Sequence, residues 1–158
     1  MKKKGFTLIE LLVVIAIIAI LAGIVIIAVN PTRQMGQARN AQRRADVLTT
    51  LNAIHQYYID NEGFPTGIEE GKYKQLGTAT TGCGGANFCG TWTGEDACLD
   101  LGSQATPILV PTYIAGIPYD SQGDATKTGY AVTLDTNKRI TIRACKLEIV
   151  TTNIEVTR

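Results

Sequence analysis

The sequence predicts an α+β protein: a long N-terminal helix, membrane-spanning in its first half, whose second half packs on a small antiparallel sheet of about three strands. Three observations predict it. Leu11 to Val29 is a run of 19 residues without a charged or polar side chain, enough to cross about 30 Å of hydrocarbon at about 1.5 Å per residue. From Thr32 to Glu62, apolar side chains recur at helical spacing. From Gly129 onward they alternate.

The 158 residues leave room for one folded domain besides the apolar run. The net charge of +1, from 15 basic and 14 acidic residues, creates no global field that would recruit nucleic acid. Lys2, Lys3 and Lys4 stand just before the apolar run. Positive charge stays on the cytoplasmic side during insertion, so the C-terminal domain is expected outside.

The run is too long for an ordinary secretory signal and leads into Asn30 and Pro31, not into a small-residue cleavage site. The unusual feature lies at its other end. A short basic leader stops at Gly5 and is followed by Phe6, Thr7, Leu8, Ile9 and Glu10. A carboxylate in an apolar helix costs roughly 2.5 to 3.5 kcal/mol even on lenient insertion scales, so Glu10 either reaches the headgroups or needs a partner. Cleavage after Gly5 would supply one, because Phe6 would carry a free α-amino group of pKa about 8. The pair can close within one helix or between staggered neighbours. Between neighbours, Glu10 sets the axial register, since an unpaired buried charge costs several kcal/mol.

Lys4-Gly5-Phe6-Thr7-Leu8-Ile9-Glu10-Leu11-Leu12-Val13-Val14-Ile15 resembles the leader and helix start of type IV pilins and type II secretion pseudopilins. Ala38 to Val47 and Tyr57-Tyr58-Ile59-Asp60-Asn61-Glu62-Gly63-Phe64-Pro65 are similar to the later part of that family's helix and the turn after it. About the first 65 residues are covered well. Beyond them, Leu109 to Ile114 and Ile117 to Asp120 are similar only in outline. The resemblance implies that a membrane prepilin peptidase cuts after Gly5, that Phe6 is then N-methylated, and that Glu10 is the assembly glutamate. It also implies partners: copies of the chain in a helical filament, a membrane assembly platform, and membrane lipid before assembly. The implied function is that of a type IV pilus-like subunit. The alternatives are a type II secretion pseudopilin, or a membrane-tethered binding module that never polymerises.

Three segments follow: a cleaved leader at 1–5, a transmembrane and assembly helix at 6–30, and an extracytoplasmic head at 31–158. Many family members place a helix-disturbing proline earlier; here the candidate is Pro31, whose ring would clash with the Ile27 carbonyl and kink or melt residues 27 to 31. Val47, Leu51, Ile54 and Tyr58 share one helical face, with Arg39, Arg43, Asn52 and Gln56 opposite. The helix is expected to end near Glu62, with Gly63 as a left-handed cap and Pro65 beyond.

Residues 63–128 read as a connecting region with at most a short helix near Pro107 to Tyr113. Four cysteines, Cys83, Cys89, Cys98 and Cys145, suit an oxidising compartment and two disulfides. Three pairings are possible. One closes a tight Cys83–Cys89 loop and leaves Cys98 to reach Cys145. Tyr130, Val132 and Leu134, a turn at Asp135 to Lys138, then Ile140 and Ile142 predict a hairpin, and Ile149 to Val156 a third strand, so the sheet occupies 129–158.

No enzyme chemistry emerges. His55, the only histidine, falls beside the apolar helix face without a nucleophile to serve. The cysteines lack the close pairs of zinc sites, and no cofactor or metal is predicted. Asp120 and Asp124 could offer oxygens to calcium, as some pseudopilins do in a comparable loop, but a solvated turn is the plainer reading. Arg39, Arg43 and Arg44 read as a solvated or lipid-proximal face, and nucleic-acid binding is not predicted.

Overall fold

The apolar run forms α1 (Leu8–Val29), the first of two helices in a computed structural model that describes residues 5–83, 98–103, 108–149 and 152–158. Thr7, with extended backbone, caps it. At the other end Asn30 adopts a left-handed conformation (φ 46°, ψ 76°), and helical structure resumes as α2 (Pro31–Asn61). Pro31 therefore opens a helix, where its missing N–H goes unused. Asn30 Oδ1 accepts from Arg33 N at 3.3 Å and from the Thr32 hydroxyl at 2.8 Å. The chain divides into two compact units, Met1–Gly36 and Gln37–Arg158.

In the second unit, the sheet contains β1 (Lys74–Leu76), β2 (Cys98–Leu99), β3 (Tyr130–Leu134), β4 (Ile140–Ala144) and β5 (Glu155–Thr157), in the order β2-β1-β3-β4-β5. The hairpin expected around Asp135 is β3–β4, with Val132 opposite Ile142. Asp135 Oδ1 accepts from the N–H groups of Asn137 and Arg139, both at 2.8 Å, while Lys138 turns left-handed at φ 61°. The third expected strand begins later, at Glu155. Strands β1 and β2 fall inside the stretch read as connection, so among the described residues the sheet has five strands, with β1 and β2 parallel and the other pairs antiparallel. Three- and two-residue strands carry too little alternation to be seen locally; their partners define them.

Val47, Leu51, Ile54 and Tyr57 from α2 form one core with Leu76, Leu99, Tyr130, Val132, Ile140 and Ile142. Tyr57 takes the place expected for Tyr58: its ring meets Tyr113 edge-on at 5.4 Å, while Tyr58 is 42% exposed and lies against Phe64 at 4.6 Å. The cap also shifts by one. Glu62, at φ 51°, is the left-handed residue, and Asn61 Nδ2 donates to the Tyr57 carbonyl at 2.8 Å. Both faces of β3 are buried, where alternation suggested one open face. Between Leu109 and Tyr113 there is a single turn closed by Tyr113 N on Leu109 O at 2.9 Å, and Pro107 lies outside the described residues.

Cys83 pairs with Cys98 across 5.2 Å between Cα atoms. Of the three pairings the sequence allows, this is the one that joins Cys83 to Cys98: the parallel β1–β2 pairing aligns Cys98 with Gln75 and brings it to the segment that leaves β1. Cys145 is also disulfide-bonded, and Cys89 lies outside the described residues. In the loop-entropy account, closing 15 residues stabilises by about 3 kcal/mol.

The core assignment separates two leucines on one helix. In denaturant titrations of the detergent-solubilised chain, Leu51→Ala, at a fully buried position, should lose about 2 to 5 kcal/mol, and Leu48→Ala, at an exposed one, less than about 0.5 kcal/mol. Equal losses would contradict the packing described.

Candidate functional site

The start of α1 concentrates the predicted site residues. Gly5, Phe6 and Thr7 precede the helix without regular structure and are exposed, Phe6 to 88%. Among the described residues, nothing beyond its chain neighbours lies within 4 Å of where a Gly5 side chain would begin. The Gly5–Phe6 bond thus lies outside the helix, in the accessible form a peptidase needs. Lys2, Lys3 and Lys4 lie outside the described residues.

Thr7 and Glu10 form a reciprocal capping box. Glu10 N donates to Thr7 Oγ1 at 3.3 Å; Glu10 Oε2 accepts from Thr7 N at 2.8 Å and from the Thr7 hydroxyl at 2.7 Å. All of these atoms lie after Gly5, so cleavage there leaves the box whole. Both bonds to the carboxylate use Oε2, and among the described residues Oε1 accepts none. Phe6, Ile9, Val13 and Val14 surround it with apolar surface. Glu10 thus has one oxygen held at home and one facing outward. A carboxylate there complements the positive end of the helix dipole, which a new ammonium on Phe6 would oppose.

The rest of α1 buries no side chain in the chain, although it is apolar all round. A helix of that kind requires lipid or other protein around it. Leu8–Val29 is long and apolar enough to cross a membrane, which fits a membrane-anchored precursor.

The charged residues of α2 depart from expectation. Arg43 is not on a solvated face: it is 1% exposed and pairs with Asp120 and Glu148. Arg39 is partly buried and grips Glu148 through Nε, at 2.9 Å from each carboxylate oxygen. Arg44 is exposed. Their separation of about a hundred residues from Glu148 hides these partners from any local pattern. Arg39 foremost, then Arg43, holds the Glu148 carboxyl down at about 2, against the cost of its burial. Tyr130 donates its hydroxyl to Asp46 Oδ2 at 2.7 Å; burial first, and that bond second, push the Tyr130 hydroxyl far up.

Asp120 and Asp124 do not converge. Asp120 is committed to Arg43 and to Gln122 N, at 2.8 Å, while Asp124 Oδ1 accepts from Thr126 N at 2.7 Å and Lys127 N at 3.0 Å within its own turn. His55 Nε2 is buried and unbonded among the described residues.

The chain thus joins an apolar N-terminal helix, opened by a capped glutamate, to an α+β unit. The first 26 residues match the family model described as the prokaryotic N-terminal methylation motif. The chain is 37% identical over 68 residues to type II secretion system core protein G of Escherichia coli (strain K12), a match covering 41% of this chain and 43% of that protein. Core protein G of Aeromonas hydrophila is 36% identical over 67 residues, covering 41% and 44%, and that of Klebsiella pneumoniae 34% over 68 residues, covering 41% and 45%. These matches span less than half the length of each relative. No solved structure matches. The chain carries the N-terminal methylation motif, and about two fifths of it is similar to type II secretion system core protein G.

Amide hydrogen exchange in detergent micelles tests the box. Thr7→Ala should speed exchange in the first turn of α1 roughly three- to tenfold, and Thr7→Ser should leave it near wild type. Unchanged protection in Thr7→Ala would mean that the hydroxyl does not hold the helix start.

Proposed function

We propose that this chain is a structural subunit of a pilin-like filament and not an enzyme. In this reading it is inserted with its leader inside and its C-terminal domain outside, cut after Gly5 by a prepilin peptidase, N-methylated on Phe6, and polymerised through α1. The observation that carries the proposal is a 22-residue apolar helix that buries none of its side chains in its own chain and opens on a capped glutamate. About a dozen large aliphatic residues at about 1.5 to 3 kcal/mol each amount to roughly 20 to 40 kcal/mol against exposure to water, as an upper bound. Such a helix must pass from lipid to protein without meeting water, which calls for a membrane assembly platform. The Cys83–Cys98 bridge supports an oxidising location for the head.

In the filament, the outward Glu10 oxygen would receive the Phe6 ammonium of a neighbouring copy and so set the offset between subunits. A tethered module that never polymerises would give Glu10 no such task. Glu10→Gln should therefore abolish assembly while leaving membrane insertion intact.

A second reading, a secretion pseudopilus, is favoured by the names of the relatives, each a type II secretion system core protein G. Intact-mass spectrometry on sheared surface filaments and, separately, on membranes tests both. A chain beginning at Phe6, one methyl group heavier than its sequence, in the sheared fraction supports a surface filament. The same species confined to membranes supports the pseudopilus. Retention of residues 1–5 in both fractions would overturn processing, and the filament reading with it.

A further inference from the structure

The motif Ala38 to Val47 contributes charged side chains that filament assembly through α1 does not use. Three of them, with Asn40, gather at one end of the head. Arg43 Nε and Nη2 donate to the two Asp120 oxygens, Nη2 also to Glu148 Oε1 at 2.9 Å, and Nη1 to Asn40 Oδ1 at 2.8 Å. An almost fully buried cation is thus ringed by oxygens from three side chains, two of them 77 and 105 residues away in sequence.

We propose that Arg43 is a tethered cation that fastens two loops distant in sequence to α2, and that this end of the head sets its form without a bound divalent ion. An oxygen shell with two carboxylates is the chemistry a hard cation takes from solution. Here the occupant is a planar, permanently charged guanidinium delivered by a helix, so its occupancy does not depend on ion concentration.

Each carboxylate also organises its own segment. Asp120 Oδ1 accepts from Gln122 N at 2.8 Å, Gly123 N donates to Asp120 O at 2.8 Å, and Asp120 N donates to Thr128 O at 2.7 Å, closing the loop between Tyr119 and Gly129. Glu148 Oε1 also accepts from Gln122 Nε2 at 2.8 Å, linking that loop to the segment after β4. Asn40, one turn before Arg43, grips the main chain of Glu148, donating to its carbonyl and accepting from its N–H at 3.4 Å. Three elements therefore meet on one guanidinium.

The charged and titratable groups facing Arg43 are Arg39 and Asp46 on α2, Asp120 in the loop, Glu148 beyond β4 and Tyr130 on β3; Lys146 reaches Gln122 at 3.2 Å. Asp46 is engaged by Gln42 at 2.7 Å and by Tyr130. With Arg43 removed, Arg39 still serves Glu148, but Asp120 becomes a buried carboxylate without a hydrogen-bonded cation among the described residues. Such a group favours its protonated form, so acid should help the variant. In the wild type the sign is opposite. Glu148, held at about 2, contributes stability above the ordinary carboxylate range, and loses it as pH falls from about 4.5 towards 2.

Thermal unfolding of the full chain in detergent micelles, followed by circular dichroism at pH 7 and pH 5 with and without EDTA, tests this. The wild type should melt alike in all four conditions. Arg43→Met should melt about 10 °C lower at pH 7 and recover part of that loss at pH 5. A wild type that loses stability in EDTA would overturn the proposal. So would an Arg43→Met variant that melts with the wild type, or one whose loss is the same at both pH values, as simple loss of packing requires. If Arg43→Met does not fold at pH 7, the double variant Arg43→Met, Asp120→Asn decides: restored folding supports the tethered cation, and continued failure overturns it.

Discussion

Helix α1 exposes a continuous apolar surface, and the cost of hydrating it constrains everything else in the chain. No side chain of α1 is buried by the protein itself, so its apolar environment must come from outside, as lipid or other protein. Every polar feature of the segment is confined to its ends. Thr7 and Glu10 satisfy each other at the start, where the first helical N–H groups have no partner within the helix. Asn30 closes the other end in a left-handed conformation, and its side chain then caps the helix that follows.

The second unit solves a different problem, since it must build a core with few long strands. Its core joins one face of α2 to β1, β3 and β4, and short segments such as Leu99, Leu101 and Leu109 complete it. Close approaches need room: a side chain at Gly77, at φ 147°, would collide with the Thr126 carbonyl. Beyond the apolar core lies the Arg43 cluster. Buried ion pairs recover their desolvation cost only with good geometry and further hydrogen bonds, and here both carboxylates have them. Tyr130 and Asp46 connect the two regions, because the ring belongs to the core while the hydroxyl reaches the polar end.

Much of this was legible from residue order. Val47, Leu51 and Ile54 as core and the hairpin around Asp135 depend on contacts within a few residues, which periodicity and turn chemistry report. Tyr57 in place of Tyr58 shows the limit. Both positions lie near the edge of the apolar stripe, and the choice is made by Tyr113, more than fifty residues later. Strands β1 and β2 escaped for the same reason: two or three residues become a strand only beside β3 and each other.

The sequence by itself determined that an apolar helix with an N-terminal glutamate precedes an α+β unit, because hydrophobic length and local hydrogen bonding are properties of neighbouring residues. Only the tertiary structure decided that Cys83 joins Cys98, that Arg43 is buried while Arg44 is exposed, and that Asp120 serves an arginine. Those outcomes depend on which distant groups arrive at the same place. A charged side chain is solvated or buried according to whether an opposite charge meets it there, and no local pattern carries that information.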